Sequence, residues 1–140
     1  MSFVKRAKHA VYDLKYHFVW IPKYRKLILK GSVAESLKTI FNGIAERYEI
    51  EIDTLEVLSD HVHGFLIAPP KYSPSHVAQI LKSVSARELF GRHPELREEL
   101  WGGELWSDGY FVRSVGDKVT ADVIRRYIKL RHEDQLRLDL

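Results

Sequence analysis

An α+β fold with one mixed sheet-and-helix layer pair is predicted for this chain, and three observations predict it. Runs of β-branched and aromatic residues alternate with helix-period apolar stripes, in the order βαββαβα. Prolines at Pro22 and at Pro69-Pro70 stop two of the strand runs. Nothing in the 140 residues repeats, and no low-complexity tract reads as a linker, so residues 1–140 are expected to form a single domain.

The elements follow in order. Residues 11–21, Val-Tyr-Asp-Leu-Lys-Tyr-His-Phe-Val-Trp-Ile, read as the first strand, and residues 23–30 as a basic connection. Ser32 with Glu35 reads as a capping box, followed by a helix with Val33, Leu37, Ile40, Phe41, Ile44 and Tyr48 on one face. Residues 49–58 alternate as a half-buried strand does, Ser59-Asp60 is a tight turn, and His61–Ala68 is the next strand. Ser73-Pro74 opens a second helix whose core stripe is Val77, Ile80, Leu81, Val84 and Leu89, with Gly91 as its stop. A short helix is expected at 94–101 and a fourth strand at 105–115. After the Gly116-Asp117-Lys118 loop, Thr120 caps a last helix to about 135. This is a ferredoxin-like, RNA-recognition-motif-like βαββαβ sandwich with an added C-terminal helix. The crossover helices cover one sheet face, and the first and third strands are central neighbours.

Composition narrows the function classes. There is no cysteine, which excludes disulfides and thiolate metal sites, and a reducing, cytoplasmic home fits. The N-terminal Met-Ser-Phe-Val-Lys-Arg stretch has no apolar run suited to a signal peptide or a membrane span. With 22 Lys+Arg against 19 Asp+Glu, the net charge of +3 permits nucleic-acid binding without demanding it.

His61-Val62-His63 carries the most chemistry. Residues i and i+2 of a strand share a face, so both imidazoles project side by side, as two ligands of one divalent metal must. Glu56 and Asp60 are near in sequence, as completing ligands or as carboxylates that orient the rings. The alternative is a pair that merely packs or faces solvent. His17, on a neighbouring strand, is expected close to this pair. Tyr127, among Ile124, Ile128 and Leu130, reads either as a core residue or as a nucleophile whose phenolate Arg125, Arg126 and Lys129 would favour. Lys23, Arg25, Lys26 and Lys30, with Tyr24 between, could track a phosphate backbone or form a solvated loop. Lys82 and Arg87 fall on the polar side of the second helix.

Several stretches together resemble a known family, in its order and over nearly the whole chain. They are His17-Phe18-Val19-Trp20-Ile21-Pro22-Lys23-Tyr24-Arg25, Glu56-Val57-Leu58-Ser59-Asp60-His61-Val62-His63, Leu81-Lys82-Ser83-Val84-Ser85-Ala86-Arg87, Leu105-Trp106-Ser107-Asp108-Gly109-Tyr110-Phe111 and Tyr127-Ile128. The chain resembles the single-tyrosine HUH transposases of small insertion sequences (HUH for His-hydrophobic-His), which include REP-associated tyrosine transposases and those of the IS200 type. The resemblance implies single-strand DNA cleavage and rejoining at transposon ends. It also implies Mg²⁺ or Mn²⁺ on His61 and His63, Tyr127 as nucleophile, and a 5′-phosphotyrosine intermediate. It implies hairpin-bearing single-stranded DNA as partner, contacted by Lys23, Arg25, Lys26, Lys82, Arg87 and Arg125. It implies a homodimer as well, with the tyrosine helix exchanged through the 116–118 loop.

One position departs from the family. Where a glutamine usually follows the tyrosine by one helical turn as third ligand, this chain has Arg131, which cannot ligate a cation. Either Glu56, Asp60, His132 or Gln135 fills the gap, or this copy is catalytically weakened. A non-catalytic nucleic-acid-binding module on the same fold is the rival from another class; it would need exposed sheet aromatics where this sequence has histidines. A ferredoxin-like dimer binding small ligands accounts for neither the histidine pair nor the basic helix.

Overall fold

The computed structural model describes residues 5–7, 9–100, 103–115 and 129. Two short strands, β1 (Lys5–Ala7) and β2 (Ala10–Tyr12), pair as an antiparallel hairpin. Then follow β3 (Lys15–Trp20), a 3-10 turn (Lys23–Arg25), α1 (Gly31–Arg47), β4 (Glu51–Leu58) and β5 (His61–Ile67). After these come α2 (Pro74–Arg92), the single-turn α3 (Leu96–Glu99) and β6 (Phe111–Ser114). The last four strands form one antiparallel sheet in the order β4-β5-β3-β6. That is the expected split βαβ order, with β3 and β5 as central neighbours. Of the expected C-terminal helix only Lys129, which is helical, is among the described residues.

Strand parity decides what each sheet face does. Phe18 and Trp20 of β3 and Val62 and Leu66 of β5 point to the helices and are fully or nearly fully buried. They meet Leu37, Ile40, Phe41 and Ile44 of α1 and Val77, Leu81, Val84 and Leu89 of α2, so both predicted helix stripes are the core. The opposite parity carries His17, His61, His63 and Phe65. In β4 the sequence alternation slips by one between Ile52 and Leu55. The register shift between Ile52 and Thr54 absorbs the extra residue as a bulge, so Ile52, Leu55 and Val57 all pack on the core. Phe18→Ala, which empties the centre of this layer, is expected to cost about 3–5 kcal/mol. Urea unfolding followed by circular dichroism measures it.

Several expected boundaries differ. The run at 11–21 is two strands, because Asp13-Leu14 leaves the ladder and the Leu14 carbonyl accepts from the Ala68 N–H at 3.1 Å. Ser32 does not cap α1: the chain enters the helix at Gly31 (φ 58°), Lys30 is the N-cap, and no side chain caps it. Glycine adopts that φ without steric cost, so the helix begins one residue before the capping box. Gly91 does not stop α2, which runs to Arg92 and is closed by the His93 N–H on the Leu89 carbonyl. Ser73 does cap it, accepting from the His76 N–H, with Pro74 in the first turn. Only Phe111–Ser114 of the fourth run is a strand. Before it, Trp106 bridges Pro22, and the Lys82 ammonium donates to the carbonyls of Ser107 and Gly109 at 2.9 and 2.7 Å. These contacts hold the segment as a strap between α2 and the chain that leaves β3.

Candidate metal centre

His61 and His63 stand on one face at the start of β5, where the hairpin from β4 turns at Ser59-Asp60. His61 pairs across the ladder with Leu58, and His63 lies between Glu56 on one side and Val19 on the other. Both imidazoles are mostly shielded, with side-chain exposures of 15% and 19%.

A three-residue chain holds His61. The Arg25 guanidinium places Nε and Nη2 on Asp60 Oδ2, both at 2.9 Å. The other oxygen, Asp60 Oδ1, is 2.8 Å from His61 Nδ1. Partial burial pushes the Asp60 carboxyl up, but the His61 hydrogen bond and the Arg25 charge outweigh it, so the group titrates below its ordinary 3.8. An ionised carboxylate only accepts, so His61 Nδ1 donates and, in the neutral ring, Nε2 keeps the lone pair. Arg25 reaches Asp60 from an unusual turn: Tyr24 and Arg25 have φ of 59° and 50°. Two successive non-glycine residues in the left-handed region cost on the order of 1–2 kcal/mol each. Hydrogen bonds from Arg25 N–H to Pro22 O and from Lys23 N–H to Leu105 O, both 2.8 Å, hold the turn in place.

His63 is held more loosely. Its Nδ1 is 4.0 Å from Glu56 Oε2, and the Glu56 side chain is half exposed. His17, expected near the pair, is there: its ring lies 5.0 Å from that of His63 and 5.2 Å from Phe65, centroid to centroid. Its Nδ1 is buried and has no hydrogen-bond partner among the described residues. Burial, with His63 beside it, holds His17 below the ordinary 6.5. Burial also lowers His63, against the pull of Glu56 and with the help of His61. Both rings therefore favour the neutral form that a metal requires.

The sign of the pH effect follows. The unfolded chain takes up protons at His17 and His63 near 6.5, while the folded protein resists until lower pH. Metal-free stability should fall as pH drops below about 6.5 through the lowered folded values, then level off as far as these two groups are concerned. A further loss begins below 3.8, where the Asp60 contribution disappears. Urea midpoints measured from neutral to acid pH check this.

The donor set fits a hard divalent cation in part. The imidazoles of His61 and His63 share a face, and the Asp60 carboxylate engages Nδ1 of His61, which turns Nε2 outward. No group of three or more His, Cys, Asp or Glu among the described residues could hold an ion. Of the expected completing ligands, Asp60 is engaged by Arg25 and His61, and Glu56 sits beside His63 Nδ1. His132 and Gln135 lie outside the described residues, as do Tyr127, Arg125 and Arg131.

The expected DNA-contact residues separate. Arg25 is turned inward onto Asp60, Lys23 pairs with Glu104 at 3.2 Å, and Lys26 is exposed. Lys82 grips the strap, and Arg87 is exposed along the same helix. A groove of about 630 Å³ between α2 and residues 103–110 brings Lys82 and Arg87 together with Arg97, Trp106 and Tyr110, away from the histidine pair. Sequence reading missed the Arg25–Asp60 bond; the partners are 35 residues apart, and no glycine marks the left-handed turn that joins them.

The chain is similar to known proteins over most of its length. Residues 10–131 match the family described as Transposase IS200 like. The chain is 39% identical over 132 residues to the ISDra2 transposase TnpA of Deinococcus radiodurans, covering 94% of each. It is 34% identical over 134 residues to the transposase for insertion sequence element IS200 of Salmonella typhimurium, covering 96% of this chain and 87% of that one. A crystal structure from Deinococcus radiodurans, described as that of a transposase, superposes with a TM-score of 0.83 at 38% identity, over 91% of this chain and 98% of that one. A REP-associated tyrosine transposase solved bound to a REP hairpin shares the fold at a TM-score of 0.53 and 16% identity, over 90% of this chain and 68% of that one.

Proposed function

Because the chain belongs to the IS200-like transposase family, we propose that it is a metal-dependent single-strand DNA nuclease and strand transferase with a tyrosine nucleophile. The observation that carries this reading is the pair His61 and His63 on one face of β5, with His61 Nδ1 on Asp60 so that Nε2 would be the ligating atom. His61 and His63 would hold Mg²⁺ or Mn²⁺. When bound, the ion polarises the scissile phosphate and offsets charge developing on its oxygens.

The chain's own chemistry is a phosphoryl exchange. The Tyr127 phenol oxygen attacks phosphorus and loses its proton, the bond from phosphorus to the 3′-oxygen breaks, and that oxygen takes up a proton. The products are a 5′-phosphotyrosine link and a free 3′-hydroxyl. Attack by a 3′-hydroxyl on the phosphotyrosine reverses the exchange and joins strands, so no nucleotide cofactor is needed. The substrate is single-stranded DNA with hairpin-bearing transposon ends. Its backbone would be tracked by cations at Lys26, Lys82, Arg87 and Arg125. The working unit is a homodimer, with the helix of Tyr127 supplied to the partner's histidines.

Single-stranded oligonucleotides carrying candidate ends, incubated with protein and Mn²⁺ and run on a denaturing gel, test this. A protein-linked band that chelator abolishes is the expected result; absence of the band across many end sequences overturns the reading. Arg131 at the usual glutamine position, with no third ligand among the described residues, favours one second reading. It is a single-strand DNA-binding protein of the same fold with weakened cleavage, and it would bind these oligonucleotides without forming the band.

A further inference from the structure

We propose that Asp60 and Arg25 are positioning residues: the Arg25 fork anchors the Asp60 carboxylate, which in turn holds His61 with Nε2 presented to the metal. The proposal rests on the reading of His61 as a ligand, and it gives Arg25 a task other than phosphate contact.

The division of atoms supports it. Both Arg25 nitrogens use Asp60 Oδ2, which leaves Oδ1 free for His61 Nδ1. A carboxylate held by one partner alone could rotate; held by two, its plane is set, and with it the tilt of the imidazole. The two ends are fastened separately. On the Arg25 side, the left-handed turn is tied through Lys23 N–H to Leu105 O, and Pro22 bridges Trp106. On the Asp60 side, the hairpin turn is tied by Leu29 N–H to Ser59 O at 3.1 Å. Strain in the backbone at Tyr24 and Arg25 persists only where its surroundings demand it, and it falls at the residue that reaches the site.

The two histidines are thereby held unequally. Asp60 and Arg25 are both largely shielded, with side-chain exposures of 22% and 24%. Glu56 is 53% exposed and only approaches His63, at 4.0 Å. Removing Asp60 should therefore damage metal binding far more than removing Glu56.

The test has two readouts. Long-range ¹H–¹⁵N correlation spectra of the metal-free protein report which His61 nitrogen carries the proton, and titration calorimetry reports Mn²⁺ affinity. In the wild type His61 should be protonated at Nδ1. Asp60→Ala should shift the ring toward the Nε2–H form and weaken Mn²⁺ by about 10–100-fold. Asp60→Asn, which keeps an acceptor oxygen, should recover part of both, and Arg25→Lys, which keeps charge without the fork, should fall between. Glu56→Ala should change neither by much. Wild-type His61 protonated at Nε2 while Mn²⁺ still binds overturns the relay alone. So does an affinity loss in Glu56→Ala equal to that in Asp60→Ala. If the wild type binds no Mn²⁺, the metal reading falls instead. Should Asp60→Ala fail to fold, the wild-type spectrum and Asp60→Asn still decide.

Discussion

Tyr127→Phe is expected to abolish the covalent protein–DNA adduct and reduce strand cleavage by on the order of 10³-fold or more, as loss of a nucleophile does elsewhere. The substitution removes one oxygen and keeps the ring. If Tyr127 were only a packed aromatic among Ile124, Ile128 and Leu130, phenylalanine would serve as well and cleavage would survive. The two roles therefore give opposite results in one gel. Arg125, Arg126 and Lys129 lie within two residues of Tyr127 in the sequence, and the proposed role gives them the task of favouring the phenolate and a nearby phosphate. Their neutralisation should slow cleavage without abolishing it.

The second large effect is expected from the histidines. His61→Ala combined with His63→Ala should remove measurable Mn²⁺ binding, a greater loss than the roughly 10–100-fold that follows removal of a group that only orients a ligand. The fold should persist, because both side chains lie on the sheet face opposite the core built by Phe18, Trp20, Val62 and Leu66. Metal-free stability should even lose less on acidification, since the partly buried His63 would no longer resist protonation. Titration calorimetry, with thermal unfolding as the control, separates lost ligation from lost structure.

Much of the arrangement around His61 and His63 is legible in the sequence. The period of the helix stripes placed Leu37, Ile40, Phe41 and Ile44 in the core, and the period of two placed His61 and His63 together. The rule that the first and third strands adjoin brought His17 beside His63. What escaped depends on contacts that no local pattern encodes. Arg25 looked like one more loop cation, yet a left-handed turn without glycine aims it at Asp60. Lys82 looked like helix surface, yet it binds two carbonyls of the strap before β6. The capping box at Ser32 satisfied the pattern, but Gly31 gave the chain an earlier entry into α1. Local chemistry proposes such features, and tertiary geometry decides among them.

The most direct measurement is of the ion itself. Pulsed electron paramagnetic resonance of Mn²⁺ added to the purified protein counts the imidazole nitrogens bound to it. The wild type should show modulation from two histidine nitrogens, reduced to one in His63→Ala and to one in His61→Ala. A spectrum of hydrated Mn²⁺ without nitrogen coupling, or coupling that neither substitution changes, would contradict the assignment of His61 and His63 as the metal-binding half of the site.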